Sequence, residues 1–233
     1  MSKKLLSPGA LLSPVPAVLV SCGSVEQPNV LTIAWAGTVC THPAMVSISV
    51  RPGRHSYPLI KESGEFVLNI PSASQVRAVD LCGVKSGRDT DKFALCGFTA
   101  VPAAGVSAPA INECPVSFSC KVKQVIPLGS HDLFLAEIVA IEAEENLFEE
   151  NGRLALEKAG LFAYAHGEYY ALGEKLGSFG YSVRKKPAKP APQQKSNKAE
   201  PGKAKLHKSE PRKPAAKAAK KPARKAKKAH KLP

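Results

Sequence analysis

Hydrophobic and polar positions alternate most clearly in the first two thirds of the chain. Val46, Ile48 and Val50 face one way while Ser47, Ser49 and Arg51 face the other. Val116, Phe118, Cys120 and Val122 alternate in the same manner with Ser117, Ser119, Lys121 and Lys123. A period of two is the signature of a half-buried strand. Leu133 to Ala143 is a long run of β-branched and small apolar residues, and Phe66 to Ile70 is a shorter buried strand closed by Pro71. With Val15 to Cys22, Val30 to Trp35 and Tyr169 to Leu172, the pattern predicts about seven strands.

Helical signals are fewer. Ser56 to Glu62 reads as one or two turns ended by Gly64. Ser74 is a candidate cap for a helix through Val76, Val79 and Leu81 up to Gly83, and Asp89 for a second covering Lys92, Phe93 and Leu95 up to Gly97. Short strands interrupted by small helices predict a mainly β chain closed into a barrel with short helical excursions. The order is too irregular for a doubly wound sheet, and no GxGxxG follows a strand.

Charge divides the chain. Of 33 Lys and Arg residues, 19 fall within residues 184–233 alongside 2 of the 19 acids, a net charge of +17; the first 183 residues keep 14 bases and 17 acids, or −3. All 14 aromatic residues lie in that acidic body as well. The expected organisation is a folded domain over residues 1–183 and a disordered Lys/Ala/Pro-rich basic tail over 184–233, since such a segment cannot offset its ordering entropy by burial. Its AAK and KKPA units resemble linker-histone tails. Non-specific binding to nucleic acid or polyphosphate is expected of it, with a solubilising linker or an anionic membrane surface as the alternatives.

No run approaches the roughly 20 apolar residues of a spanning helix, so no transmembrane segment is expected. Lys3 and Lys4 precede an apolar stretch ending in Leu19, Val20, Ser21 and Cys22, an order like a lipoprotein cleavage site; Pro8, Pro14 and Pro16 break it up. The six cysteines form no CxxC pair and show no zinc spacing, which points to small core hydrophobes in a reducing, cytoplasmic setting and to no metal site.

Chemistry concentrates between Asn29 and Ser56. Ser47, Ser49 and Arg51 make a polar stripe, and Arg54, His55 and Ser56 follow in the loop after Pro52 and Gly53. Arginine forks, hydroxyls and loop amides together suit a phosphate. An ordinary solvated sheet face carries the same residue types.

The stretches NVLTIAW (Asn29 to Trp35), SISVRPGRHSYPLI (Ser47 to Ile60), EFVLNIP (Glu65 to Pro71) and LCGVKSGRDTDKF (Leu81 to Phe93) resemble the flavin reductase-like family. ECPVSFSCKV (Glu113 to Val122) and GSHDLFLAEIV (Gly129 to Val139) continue the pattern in order, and the resemblance covers about residues 10–175. It implies a split β-barrel that binds FMN, works as a homodimer, and takes electrons from NADH, NADPH or a redox protein; the alternatives are a nucleic-acid-associated protein using the barrel as a dimer scaffold, and an electron carrier without nicotinamide oxidation. By resemblance, FMN would contact Asn29, Thr32, Ala34, Trp35, Cys40, Ser49, Arg51, Arg54, Ser56 and Lys92. His131, in GSHD where many relatives read GDHD, would face the nicotinamide side; Ser130 in place of an acid leaves a positioning role. Read without the resemblance, Trp35 suits the core, Cys40 is a small hydrophobe and His131 is a loop residue.

Overall fold

The computed structural model describes residues 1–184, and the basic tail lies outside the described residues. One compact unit runs from Met1 to Gly177; the described part of the second holds a single 3-10 turn, Tyr181–Val183. Among the described residues there are eleven strands: β1 (Val18–Gly23), β2 (Pro28–Ile33), β3 (Ala36–Thr41), β4 (Ala44–Val50), β5 (Glu65–Ile70), β6 (Ala100–Val101), β7 (Ala110–Ile111), β8 (Val116–Pro127), β9 (Asp132–Ala143), β10 (Phe162–Ala165) and β11 (Glu168–Ala171). Three short helices intervene, α1 (Ser56–Ser63), α2 (Val76–Val84) and α3 (Lys92–Cys96).

Seven strands make one antiparallel sheet in the order β2-β1-β5-β8-β9-β4-β3. Its two edge strands, β2 and β3, are consecutive in the chain and separated only by Ala34 and Trp35. A sheet whose opposite edges are tied so closely has to curl round, and register shifts at Thr38/Cys40, Ser119/Cys120 and Val122/Gln124 supply local bends. The result is a mainly β split barrel with short helical excursions. Closure also sets which way each β9 residue faces: Phe134 and Ala136 enter the barrel core while Leu133 and Leu135 face out.

Strand β1 is buried on both faces, which is why its sequence is apolar without alternation. Val18, Val20 and Cys22 join the barrel core with Ile48, Phe66 and Phe134. Ala17 and Leu19 pack outside it against Val79 of α2, Phe93 of α3 and Phe162 of β10. Polar atoms inside are matched: Asn69 donates to the Leu19 carbonyl (3.1 Å) and Ser21 Oγ (2.9 Å), and accepts from the Ile111 N–H (3.0 Å) and Ser117 Oγ (2.8 Å). This satisfied hub binds β7 to the barrel, its hydrogen bonds offsetting the desolvation of the buried polar groups.

Several local signals shift by a residue or two. Helix α1 ends at Gly64, whose φ of 67° lets its N–H reach the Ile60 carbonyl. Asp91, not Asp89, caps α3 by accepting the Ala94 N–H at 3.1 Å. Ser72, rather than Ser74, begins the turn before α2, with the Gln75 side chain accepting its N–H at 2.8 Å. Strands β3, β6, β7 and β10 were not expected from the pattern. Strand β3 is largely exposed and carries no buried face to impose alternation. Among the described residues no helix is long and apolar enough to cross a membrane.

Candidate functional site

The turn between β2 and β3 places Trp35 at the barrel rim, 46% exposed. The Ser49 N–H of β4 donates to the Trp35 carbonyl at 3.0 Å, fixing the backbone there. On the neighbouring strand, the turn before β9 brings the His131 ring to 4.8 Å from the Trp35 ring at 45°. His131 also contacts Ser130 Oγ through Nδ1 at 3.0 Å. Partial burial holds the imidazole below its usual range, and the positive charges of Arg51 and Arg54 push the same way. Both effects bias the ring toward its neutral form.

These residues open onto a cleft of about 610 Å³, within the usual size of a small-molecule site. Thr32, Ala34, Trp35, Arg51, Arg54 and His131 all line it. The Thr32 hydroxyl is committed as a donor to the Val79 carbonyl, so it holds β2 to α2 and offers a ligand only its acceptor side. The far wall, which the sequence reading missed, comes from Tyr164, His166 and Tyr169 of the β10–β11 hairpin and from Asp80 of α2. Tyr169 donates to Asp80 at 3.2 Å; burial, reinforced by the Asp80 charge, pushes its phenol up to about 12. The signal that would have marked this hairpin is the His166–Gly167 pair between aromatic runs, which forms a two-residue connection with φ of 51° and 89°.

A second cavity of about 150 Å³ adjoins at Arg54 and is lined by His55, Ser56, Ser86, Gly87 and Lys92 among others. Lys92, the first residue of α3, is only 4% exposed. Its Nζ donates to the Cys82 and Lys85 carbonyls at 3.3 and 3.4 Å, and no described carboxylate bridges it. Burial drives the ammonium below the ordinary lysine range; nearby thiols at Cys82 and Cys22 oppose this and Arg54 adds to it. Beneath the cavity, Asn29 Nδ2 donates to Ser56 Oγ at 2.6 Å and contacts Cys22 Sγ at 3.5 Å. Gly87 covers this pair so closely that a Cβ there would sit 2.1 Å from Asn29 Oδ1 and 2.9 Å from His55 Cδ2. Arg54 spans the two cavities, its Nη1 anchored to the Gly83 carbonyl at 3.3 Å.

Eight of the expected site residues thus converge: six on the cleft and, through Arg54, Ser56 and Lys92, on the smaller cavity. Asn29 supports Ser56 from below. Ser49 acts on the site through its backbone bond to Trp35, and Cys40, at the β3 bulge, lines neither cavity.

Flavoredoxin of Desulfovibrio vulgaris (Miyazaki F) superposes with a TM-score of 0.73 and 33% identity, covering 78% of this chain and 100% of that one. An uncharacterized protein of Pyrococcus abyssi (strain GE5 / Orsay) is 33% identical over 139 residues, 60% of this chain and 80% of its own. The NADPH-flavin oxidoreductase of Streptomyces viridifaciens is 27% identical over 145 residues, 60% of this chain and 74% of its own. A profile of the family described as Flavin reductase like domain matches residues 11–173, so the chain belongs to the flavin reductase-like family.

Proposed function

We propose that this chain is an FMN-dependent oxidoreductase that passes electrons from NADH, NADPH or a redox partner to a free flavin, a metal complex or a partner enzyme. The observation that carries the reading is the buried Lys92 ammonium, which has two long carbonyl contacts and no carboxylate, in a cavity shared with Arg54 and Ser56. Such a cation is costly unless an anion completes the site. A phosphate group fits that donor set: two cations, a hydroxyl and the backbone at Gly87, which carries no Cβ.

Lys92, Arg54 and Ser56 would then hold the FMN phosphate, with Asn29 keeping the Ser56 hydroxyl in place. Thr32, Ala34 and Trp35 would line the path of the ribityl chain and the wall of the ring, and Ser49 would keep Trp35 in position. Arg51 lines only the larger cleft, so it would meet the ring side or a second anionic ligand. Bound FMN supplies reversible two-electron and hydride chemistry. His131 beside Trp35 would orient an incoming nicotinamide and would not need to move a proton. The names of the relatives, flavoredoxin and NADPH-flavin oxidoreductase, support the same assignment.

A homodimer belongs to this proposal. Leu133 and Leu135 on the outward face of β9, with Val139 at the bulge in its register 41% exposed, make an apolar strip suited to a second copy. Six free cysteines fit a reducing, cytoplasmic setting. The net +17 of residues 184–233 supports a tether to nucleic acid or polyphosphate beside the redox role. The test is a visible absorbance spectrum of protein reconstituted with FMN, followed by anaerobic NADH or NADPH. Bound flavin that bleaches is expected; flavin that binds without bleaching shifts the reading to a carrier fed by a redox partner, and failure to bind FMN refutes it.

A further inference from the structure

Two thiols outside the flavin reading meet behind the small cavity. Cys82, in the last turn of α2, and Cys96, the last residue of α3, have their sulfurs 3.6 Å apart. Among the described residues this is the only thiol pair in contact. The two sulfurs differ in access. Cys82 is 1% exposed and lines the Lys92 cavity. Cys96 is partly exposed and lines an open groove of about 320 Å³ whose walls carry Arg77 and Glu113, one charge of each sign.

We infer that Cys82 and Cys96 form a thiol–disulfide site, closed by a small zwitterionic disulfide of the glutathione class, and that closure loosens the anion cradle at Lys92. The order of events follows from access. The Cys96 thiolate attacks one sulfur of the small disulfide, breaking its S–S bond, forming a mixed disulfide and expelling one thiolate. Cys82, the only other thiol within reach, then gives up its proton and attacks the Cys96 sulfur, expelling the second thiolate. Two electrons and two protons pass from the cysteine pair to the oxidant, which leaves as two thiols. Burial pushes the Cys82 thiol up to about 12, which makes its step the slower one; the Lys92 charge works in its favour.

Closure has to shorten the sulfur separation from 3.6 Å to about 2.0 Å. Both halves of that movement act on Lys92. Its ammonium is held by the Cys82 carbonyl, and its backbone begins the five-residue helix that Cys96 ends. A redox-linked fall in anion affinity follows. The coupling rests on the proposed FMN site; the thiol chemistry does not.

The full chain, reduced and then incubated with oxidised glutathione, is denatured, alkylated with iodoacetamide and weighed. The reduced protein carries six alkyl groups, one on each cysteine. The oxidised protein is expected to carry four, and digestion with trypsin and Glu-C is expected to join peptide 78–85 to peptide 93–113. Six groups after oxidation, a persistent glutathione adduct on Cys96, or a cross-link between other cysteines overturns the site. In parallel, FMN titration should show about fivefold weaker binding after oxidation, and Cys96→Ser should abolish that response while binding FMN like the reduced parent. A cross-link with unchanged FMN affinity overturns the coupling. A chain that binds no FMN in either state refutes the flavin reading while the alkylation result still decides the disulfide.

Discussion

Lys92→Met separates the two purposes a buried lysine can serve, because it is expected to strengthen the empty protein and weaken the loaded one. Methionine matches the length of the lysine stem and leaves no charge. In the parent, the ammonium is taken almost wholly out of water, a penalty of several kcal/mol for an unpaired ion. Against it stand two carbonyl contacts at 3.3 and 3.4 Å, well beyond the ~2.7–2.9 Å of a strong charge-assisted bond, so about 1 kcal/mol or less each. Desolvation wins. The variant without ligand should gain about 1–2 kcal/mol, a rise in Tm of roughly 2–8 °C for a domain of this size. With FMN the sign reverses. Losing a charged bond to phosphate costs about 1.5–3 kcal/mol, or roughly ten- to hundredfold in Kd. Riboflavin, which lacks the phosphate, should bind parent and variant equally.

The pH dependence gives a second readout. Because Lys92 titrates below the ordinary lysine value when folded, the unfolded chain binds more protons between the two values. Stability of the empty parent should therefore rise with pH across that alkaline window, by way of this group, and the rise should be smaller in the Met variant. Differential scanning fluorimetry with and without each flavin, and fluorescence titration for the affinities, measure all of this. A fall in Tm of more than about 4 °C without ligand, or equal losses for FMN and riboflavin, would refute the assignment and make Lys92 a structural staple between α2 and α3.

Other perturbations test the neighbouring residues. Arg54→Ala should weaken FMN by about 1.5–3 kcal/mol in the same titration, and Arg51→Ala by less, since only Arg54 reaches both cavities; a larger effect at Arg51 would relocate the phosphate. Gly87→Ala places a Cβ 2.1 Å from Asn29 Oδ1, so the Asn29–Ser56 bond should break with about 2–4 kcal/mol of overpacking and hydrogen-bond loss. A melting curve matching the parent's would show that the loop yields freely. Full-length protein should be retained on duplex DNA at low salt and released as salt rises, with little preference among sequences, and a chain ending at residue 183 should not bind. Salt-independent retention, or retention of the shortened chain, would place the contacts on the barrel.

Period-two alternation is a property of a few adjacent residues, so the strands β4 and β8 were legible in the sequence, as was β9 from its run of β-branched and small apolar residues. The stops at Gly64 and Gly97 were equally local, being left-handed positions that favour glycine. The same holds for the loop residues Arg51, Arg54 and Ser56, whose order alone offered them as a candidate anion-binding array beside the reading of a solvated sheet face. Tertiary structure decided the rest. Strand β3 exists because β4 pairs with it, not because any buried face marks it. Asp91 displaced Asp89 as the α3 cap because only its carboxylate meets the Ala94 N–H once the preceding loop is placed. Lys92 and Arg54 share a cavity because α2 and α3 pack on the outer face of β1 and β2, and His131 meets Trp35 because β9 and β4 are neighbours in the sheet. The far wall of the cleft, with Tyr164, His166 and Tyr169, depends on where a separate hairpin docks. Local pattern sets which face of an element is apolar. Which distant elements those faces meet is settled only when the two edges of the sheet are brought together across Ala34 and Trp35, and the site forms where they do.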